Sequence, residues 1–208
     1  MRWAKTENEE SETEEEESLV VKVVDTDVFF YGEVNESNIL ELNTKLLKLS
    51  KDLLKRSVEL RGYNPRITLH IKSDGGDVYA GLSAMDHISA SRVPVDTVAD
   101  GLCASAATFI LMGGARRYMR PSGYILIHQM SSGFWGKYEE MKDEMKSCEK
   151  IMKIIRNIYQ QKTVIPTKKL NQMMKRDIYL TSTECQQYQI VDEICPGIFC
   201  TNTLVSEE

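Results

Sequence analysis

Histidine is scarce in this 208-residue chain, which has three: His70, His87 and His128. Any imidazole chemistry has to use one of them. Cysteine is present five times, at 103, 148, 185, 195 and 200, an odd number with no CxxC pair. Zinc sites want paired thiolates or imidazoles at short spacing, so a metal-binding pattern is missing and free thiols in a reducing compartment are expected. No apolar run approaches the roughly 20 residues that a membrane helix requires, and no apolar stretch follows a basic start, so neither a membrane span nor a signal peptide is expected. The formal net charge of −5 comes without a clustered basic face, which argues against nucleic acid as a partner. There is no internal repeat. These absences point to a soluble, cytoplasmic protein.

What is present is enough for a core: 42% of residues are hydrophobic, in a chain the length of one ordinary domain. The acid is concentrated at one end, with eight glutamates and no basic residue between Glu7 and Glu17. Residues 1–18 have little apolar surface to bury and are expected to form a disordered tail, followed by a single domain over 19–200 and a short tail over 201–208. Leu19 to Val24 and Val28 to Tyr31 read as strands, and Asn35 as the N-cap of a helix whose buried stripe is Ile39, Leu42, Leu46, Leu49 and Leu53. Arg66 to Lys72 alternates as a strand. A turn follows at Ser73-Asp74-Gly75-Gly76, then a helix with Leu82, Met85 and Ile88, then a strand over Val93 to Val98. This alternation predicts βαβ crossovers and an α/β fold. From Tyr138 the pattern changes to one long helix: Tyr138, Met141, Met145, Cys148, Met152, Ile155 and Tyr159 hold a strict three-four spacing. So much apolar surface on one helix wants a partner, either the body of the subunit or another copy. Pro166 ends that pattern; a further short helix, the run Ile178-Tyr179-Leu180 and a last helix capped by Ser182 or Thr183 complete the chain.

Candidate chemistry emerges by elimination. His70 lies on the face of its strand opposite Ile67, Leu69 and Ile71, and His87 sits beside the apolar stripe of a short helix; both positions suit structural histidines. His128 closes the apolar strand Tyr124-Ile125-Leu126-Ile127 and precedes a loop, Ser131 to Gly136. Strand ends in α/β folds are where clefts form, and an imidazole there can act as a base. In Gly101-Leu102-Cys103-Ala104-Ser105-Ala106-Ala107-Thr108 a strand enters, a glycine turns and small residues open a helix. Ser105 at that point is a candidate nucleophile near unpaired N–H groups, and Cys103 is its rival. The alternative is a small-residue helix packed closely on a sheet. Ser73-Asp74-Gly75-Gly76-Asp77 also joins a strand to a helix. It lacks the spacing and the lysine of a phosphate loop, and it has the backbone freedom to offer N–H groups to an oxyanion and to pair with an extended peptide.

Read together, these segments resemble the ClpP proteases. Ser73 to Gly81 is similar to that family's Ser-Pro-Gly-Gly-x-x-x-x-Gly segment, and Gly101-Leu102-Cys103-Ala104-Ser105 to its Gly-x-Ala-Ala-Ser nucleophile motif. Tyr124 to Gln129 resembles the strand ending in the catalytic His-Gln. Arg176-Asp177-Ile178-Tyr179-Leu180-Thr181 resembles Arg-Asp-x-Phe-Met-Ser, and Gln187 to Asp192 resembles the Glu-Tyr-Gly-Leu-Ile-Asp ending. The matches keep the family's order over roughly residues 27 to 195.

The resemblance implies a crotonase/ClpP-like fold of stacked ββα units with a protruding handle helix over about 137–162. It implies a serine endopeptidase with a Ser105–His128–Asp177 triad and an oxyanion hole from Gly75 or Gly76 and Ala106. It needs no cofactor or metal in this subunit; ATP would be used by a partner AAA+ unfoldase. The substrate would be unfolded polypeptide, cleaved inside a chamber built from heptameric rings of the chain itself, possibly stacked in two. The alternative within the family is a catalytically weak or regulatory ring subunit. Four departures stand out. Asp74 replaces the motif proline, Ala106-Ala107 replaces Met-Gly, Met130 replaces the proline after His-Gln, and Lys175 replaces an acid that helps the rings pair. The acidic N-terminus replaces an apolar and basic segment that meets the ATPase, which predicts altered docking.

Overall fold

The computed structural model describes residues 20–60 and 62–195, so the expected tails at 1–18 and 201–208 lie outside the described residues. Val21–Val24 (β1) and Asp27–Tyr31 (β2) pair antiparallel around a tight turn in which Asp25 takes the left-handed conformation at φ 52°. Aspartate tolerates that conformation better than most residues. From β2 the chain enters Glu36–Glu59 (α1), and Asn35 caps it as expected, its side-chain oxygen accepting the Asn38 N–H at 2.9 Å. Ile39, Leu42, Leu46 and Leu53 are buried, and Leu49 packs against the core at its margin. Truncating one of the fully buried leucines to alanine should cost about 2–5 kcal/mol.

Ile67–Ser73 (β3) then pairs parallel with β2, Val78–Ser89 (α2) crosses back, and Val95–Ala104 (β4) pairs parallel with β3. After Ala107–Met112 (α3), two short strands flank β4: Arg117–Met119 (β5) and Tyr124–Leu126 (β6), both parallel to it. Tyr138–Lys162 (α4) is the long helix predicted from the three-four spacing. Thr167–Met173 (α5), Tyr179–Thr181 (β7), Ser182–Gln187 (α6) and Glu193–Ile194 (β8) finish the described chain. The sheet runs β1-β2-β3-β4-β5-β8, with β6 pairing both β4 and β7. Parallel strands joined through helices are what the alternating pattern required.

Several local expectations change. Gly101 does not turn the chain into a helix; it lies inside β4, at φ 113°. Residues Thr97 to Ala99 pair with β5, and Leu102 to Ala104 pair with β6. Gly101 is therefore the bend at which one strand leaves one neighbour for another, a conformation open to glycine and costly for side chains. The real strand-to-helix turn comes four residues later, at Ser105. The last helix is capped by Thr181 rather than Ser182 or Thr183. Its side chain accepts from the Glu184 N–H while the Glu184 carboxylate accepts from the Thr181 N–H, a reciprocal capping box. The free-thiol expectation holds for Cys103, Cys148 and Cys185, whereas Cys195 is disulfide-bonded.

His70 is structural, as its position suggested, and it is buried in a polar network. Its Nε2 lies 3.0 Å from Asp27 Oδ1 and its Nδ1 3.6 Å from Asp100 Oδ2, and its ring stacks on Phe29. Tyr31 and Arg120 also hydrogen-bond Asp100. His70, Tyr31 and Arg120 hold the Asp100 carboxyl well below the usual carboxylate range, against the opposing pull of burial.

The two ends of α4 differ. Ile155, Ile158 and Tyr159 are buried in the main core, and the Lys162 carbonyl at its end accepts from Arg117 at 2.7 Å. Tyr138, Met141 and Met145 are exposed, so the first half of the stripe projects away from the subunit body. Among the described residues no helix is long and apolar enough to cross a membrane.

Candidate active site

The site begins with a strained residue. Ser105 has φ 54°, the left-handed region, one of three non-glycine residues there among those described. A side chain in that conformation costs roughly 1–3 kcal/mol and persists only where its surroundings hold it. Here they do. The Ser105 N–H donates to Leu126 O at 2.9 Å, tying the turn to the end of β6, and the Ser105 carbonyl accepts from the Thr108 N–H at 3.0 Å. The sharp turn lifts the hydroxyl out of the sheet at the mouth of α3, and Ser105 is partly exposed between buried neighbours.

The glycine loop is pressed against this turn. A Cβ on Gly75 would meet Ala104 O and Ser105 Cβ at 2.7 Å and Ala106 N at 3.1 Å. A Cβ on Gly76 would meet Val34 O at 2.2 Å. Both glycines have positive φ, at 100° and 143°. The missing side chain at 75 is what leaves the Ala106 N–H uncovered. The loop is fixed on its far side, where Val34 N–H donates to Gly75 O at 2.8 Å and Asp77 N–H to Val34 O at 2.7 Å. Asp77 also caps α2 by accepting the Ala80 N–H at 2.7 Å. The Gly75 N–H is already taken by Ser73 Oγ at 3.1 Å, so of the two glycines it is Gly76 whose N–H remains to be offered.

His128 follows β6 by two residues, and its loop is anchored where the Gln129 N–H donates to Met174 O at 2.9 Å. That bond draws the end of α5 towards the histidine, and Asp177 comes with it: His128 Nδ1 lies 3.3 Å from Asp177 Oδ1. The Asp177 side chain is 75% exposed and that of His128 24%. Nε2 of His128 is buried and has no hydrogen-bond partner, so the Ser105–His128 hydrogen bond is not made in this structure. Catalytic hydrogen bonds in ligand-free enzymes are often open and close on substrate binding.

Five of the six predicted site residues thus gather around two junctions: Ser105, Ala106 and Gly75 at one, His128 and Asp177 at the other. Gly76 adjoins the first through the glycine loop. The Ser105 backbone bond to Leu126, two residues before His128, connects the junctions. The rival nucleophile Cys103 is fully buried, and burial pushes its thiol up, away from the reactive thiolate. Beyond His128 a pocket of about 290 Å³ opens between its loop and α4, with Met130 and Phe134 on one side and Met145 and Met152 on the other. The loop is pinned there by the Met130 N–H on Met152 Sδ at 3.4 Å. Sequence reading did not find this pocket, because its walls are more than ten residues apart in the chain. Their only signal was the methionine content of the α4 stripe.

A left-handed serine at a strand-to-helix turn, with a His–Asp pair nearby and a glycine loop that keeps the Gly76 N–H free, is the arrangement found in the class of serine hydrolases. Known proteins narrow it further. The family model for Clp protease matches residues 12–197. The chain is 32% identical over 191 residues to ATP-dependent Clp protease proteolytic subunit 2 of Treponema denticola, covering 90% of this chain and 91% of that protein. It is 28% identical over 169 residues to the ATP-dependent Clp protease proteolytic subunit of Deinococcus radiodurans, covering 79% and 83%. Among solved structures, a ClpP1 variant from Listeria monocytogenes superposes with a TM-score of 0.72 at 26% identity, covering 84% of this chain and 93% of that one. The chain belongs to the Clp protease family, with the ClpP-type fold and the class of a serine-type peptidase.

Proposed function

We infer that the chain is an endopeptidase subunit in which Ser105 is the nucleophile, His128 the general base and acid, and Asp177 the group that orients the imidazole. Ser105 Oγ attacks the scissile carbonyl while its proton passes to His128 Nε2. The resulting oxyanion accepts hydrogen bonds from the Gly76 and Ala106 N–H groups, and Gly75 supplies the room. The proton on Nε2 then goes to the leaving amine as the C–N bond breaks. Water, deprotonated by the same nitrogen, frees the acyl group from Ser105. Asp177, against Nδ1, keeps the proton on that nitrogen and stabilises the imidazolium. The glycine-lined edge pairs with the substrate backbone, which reads chain conformation more than side chains and suits unfolded polypeptides.

The observation that carries this reading is the left-handed Ser105 packed on Gly75, a strained serine that nothing in the packing of a plain core helix would require. Assembly into heptameric rings, singly or as a stacked pair, is supported by the half-exposed apolar stripe of α4, and Lys175 beside Arg176 weighs against pairing of rings through that contact. An AAA+ unfoldase that uses ATP would deliver the substrate, in the cytoplasm. The second reading, a regulatory subunit, is favoured by the unmade Ser105–His128 bond. A fluorophosphonate probe applied to the assembled full-length chain separates the two. Ser105 is expected to be labelled in wild type and not in Ser105→Ala, with hydrolysis of unfolded casein lost in parallel. No labelling in wild type would establish the regulatory subunit instead.

A further inference from the structure

Behind the nucleophile runs a buried chain of hydroxyls that the reaction scheme above does not use. Thr108 Oγ1 donates to Ser105 O at 2.6 Å, and the same oxygen is hydrogen-bonded to Tyr159 OH, on α4. Thr108 is fully buried and Tyr159 is 2% exposed. A threonine hydroxyl has one proton, and the Ser105 carbonyl can only accept, so that proton is committed. Tyr159 must therefore be the donor to Thr108. Burial raises the Tyr159 phenol above its ordinary pKa, so it keeps its proton at every physiological pH. The direction of the chain is fixed: Tyr159 O–H to Thr108 Oγ1, Thr108 O–H to Ser105 O.

The carbonyl at the end of that chain shares a rigid peptide plane with the Ala106 N–H. In a trans peptide the C=O and the following N–H point in opposite directions, and rotation of one is rotation of the other. The Ser105 carbonyl also accepts the Thr108 N–H, so two donors from one residue pull it into the first turn of α3. The Ala106 N–H is thereby pushed out of that turn, on the side where Gly75 leaves it uncovered.

We propose that Tyr159 and Thr108 are positioning residues that aim the Ala106 N–H at the oxyanion, which makes the buried base of α4 part of the catalytic apparatus. The proposal rests on the protease reading and adds to it a defined role for α4. Tyr159 is well placed for this: Ile155 and Ile158 bury the helix beside it, and Arg117 holds the Lys162 carbonyl one turn further on.

The test uses the full-length chain, with active sites titrated by the fluorophosphonate so that rates are expressed per competent Ser105. Tyr159→Phe is expected to lower kcat about 3–10-fold with KM unchanged, less than the roughly 10²–10³-fold cost of deleting an oxyanion donor outright. Thr108→Val should lower kcat at least as much, and Thr108→Ser, which keeps the hydroxyl, should restore it. Because the two groups act in series, the double variant should be no slower than Thr108→Val alone. Affinity for a peptide boronate, which mimics the tetrahedral adduct, should fall by the same factor as kcat/KM. A purely structural role would reduce the titrated fraction and leave kcat per site untouched. Unchanged kcat per site in both Tyr159→Phe and Thr108→Val, or losses that multiply in the double variant, would overturn the relay. Wild type that never labels at Ser105 would bring down the protease reading and the relay with it.

Discussion

Two histidine–aspartate arrangements occur in this fold, and the tighter one is not the candidate for chemistry. His70 is buried, with Asp27 at 3.0 Å and an Asp100 carboxylate also held by Tyr31 and Arg120. His128 meets one carboxylate at 3.3 Å, and that carboxylate is mostly in water. Judged by burial and partner count alone, His70 would be the more interesting residue. What it lacks is anything to act on: its contacts lie within the β2–β3–β4 sheet, with no nucleophile beside it, and its Nε2 is already engaged. His128 has a free, buried Nε2 and stands near a strained serine. The Nδ1 of His70 also lacks a hydrogen bond, 3.6 Å from Asp100, but it is enclosed within the sheet between carboxylates, whereas the unsatisfied nitrogen of His128 lies near a residue it could act on.

The comparison can be broken by mutation. The largest effect belongs to His128→Ala, expected to lower kcat/KM about 10³–10⁴-fold while the melting temperature stays within a degree or two. A comparable activity loss in His70→Leu would collapse the distinction. Asp177→Asn should cost less than the loss of His128, about 10–10²-fold in kcat, because an exposed carboxylate leaves water to fill part of its role. A loss equal to that of His128→Ala would mean that the carboxylate is sequestered during turnover. His70→Leu should act on stability alone: removing the ring strips buried partners from two carboxylates, at about 1–3 kcal/mol, read by urea unfolding with peptide hydrolysis unchanged per folded molecule. The smallest effect concerns pH. The Asp100 carboxyl is held below its ordinary value near 3.8, so at moderately acid pH the unfolded chain binds a proton there that the folded chain does not. Its contribution is therefore complete above the ordinary carboxylate range and declines as pH falls below about 4. Asp100→Asn should flatten that acid limb of the stability curve, and an unaltered limb would place the acid sensitivity elsewhere.

The elements that could be read from sequence are those whose signals are local. The Asn35 cap, the stripe of α1 and the long three-four spacing of α4 each depend on residues within a turn or two of one another. The candidate triad was legible because its members sit in short motifs at element ends. What escaped depends on pairing across the chain. The role of Gly101 as a bend follows from β4 having β5 and β6 as successive partners, and β5 is only three residues long. The Thr181 cap was missed by one residue because β7 runs straight into α6 with no loop between them. The Asp100–His70 network spans 30 positions and the Thr108–Tyr159 bond 51, and neither has a sequence pattern to announce it. Gly75 and Gly76 were legible as a flexible turn. Only their approach to Ser105 and Val34 shows that one makes room and the other retains a donor.

Ser105 sits in a backbone shape that L side chains avoid, and that has an evolutionary corollary. Replacement by glycine would relax the turn and, on the proposed mechanism, remove the nucleophile, so heat resistance and peptide hydrolysis would pull this single position in opposite directions. In a lineage released from the need to cut, that residue is the first that selection for durability alone would erase.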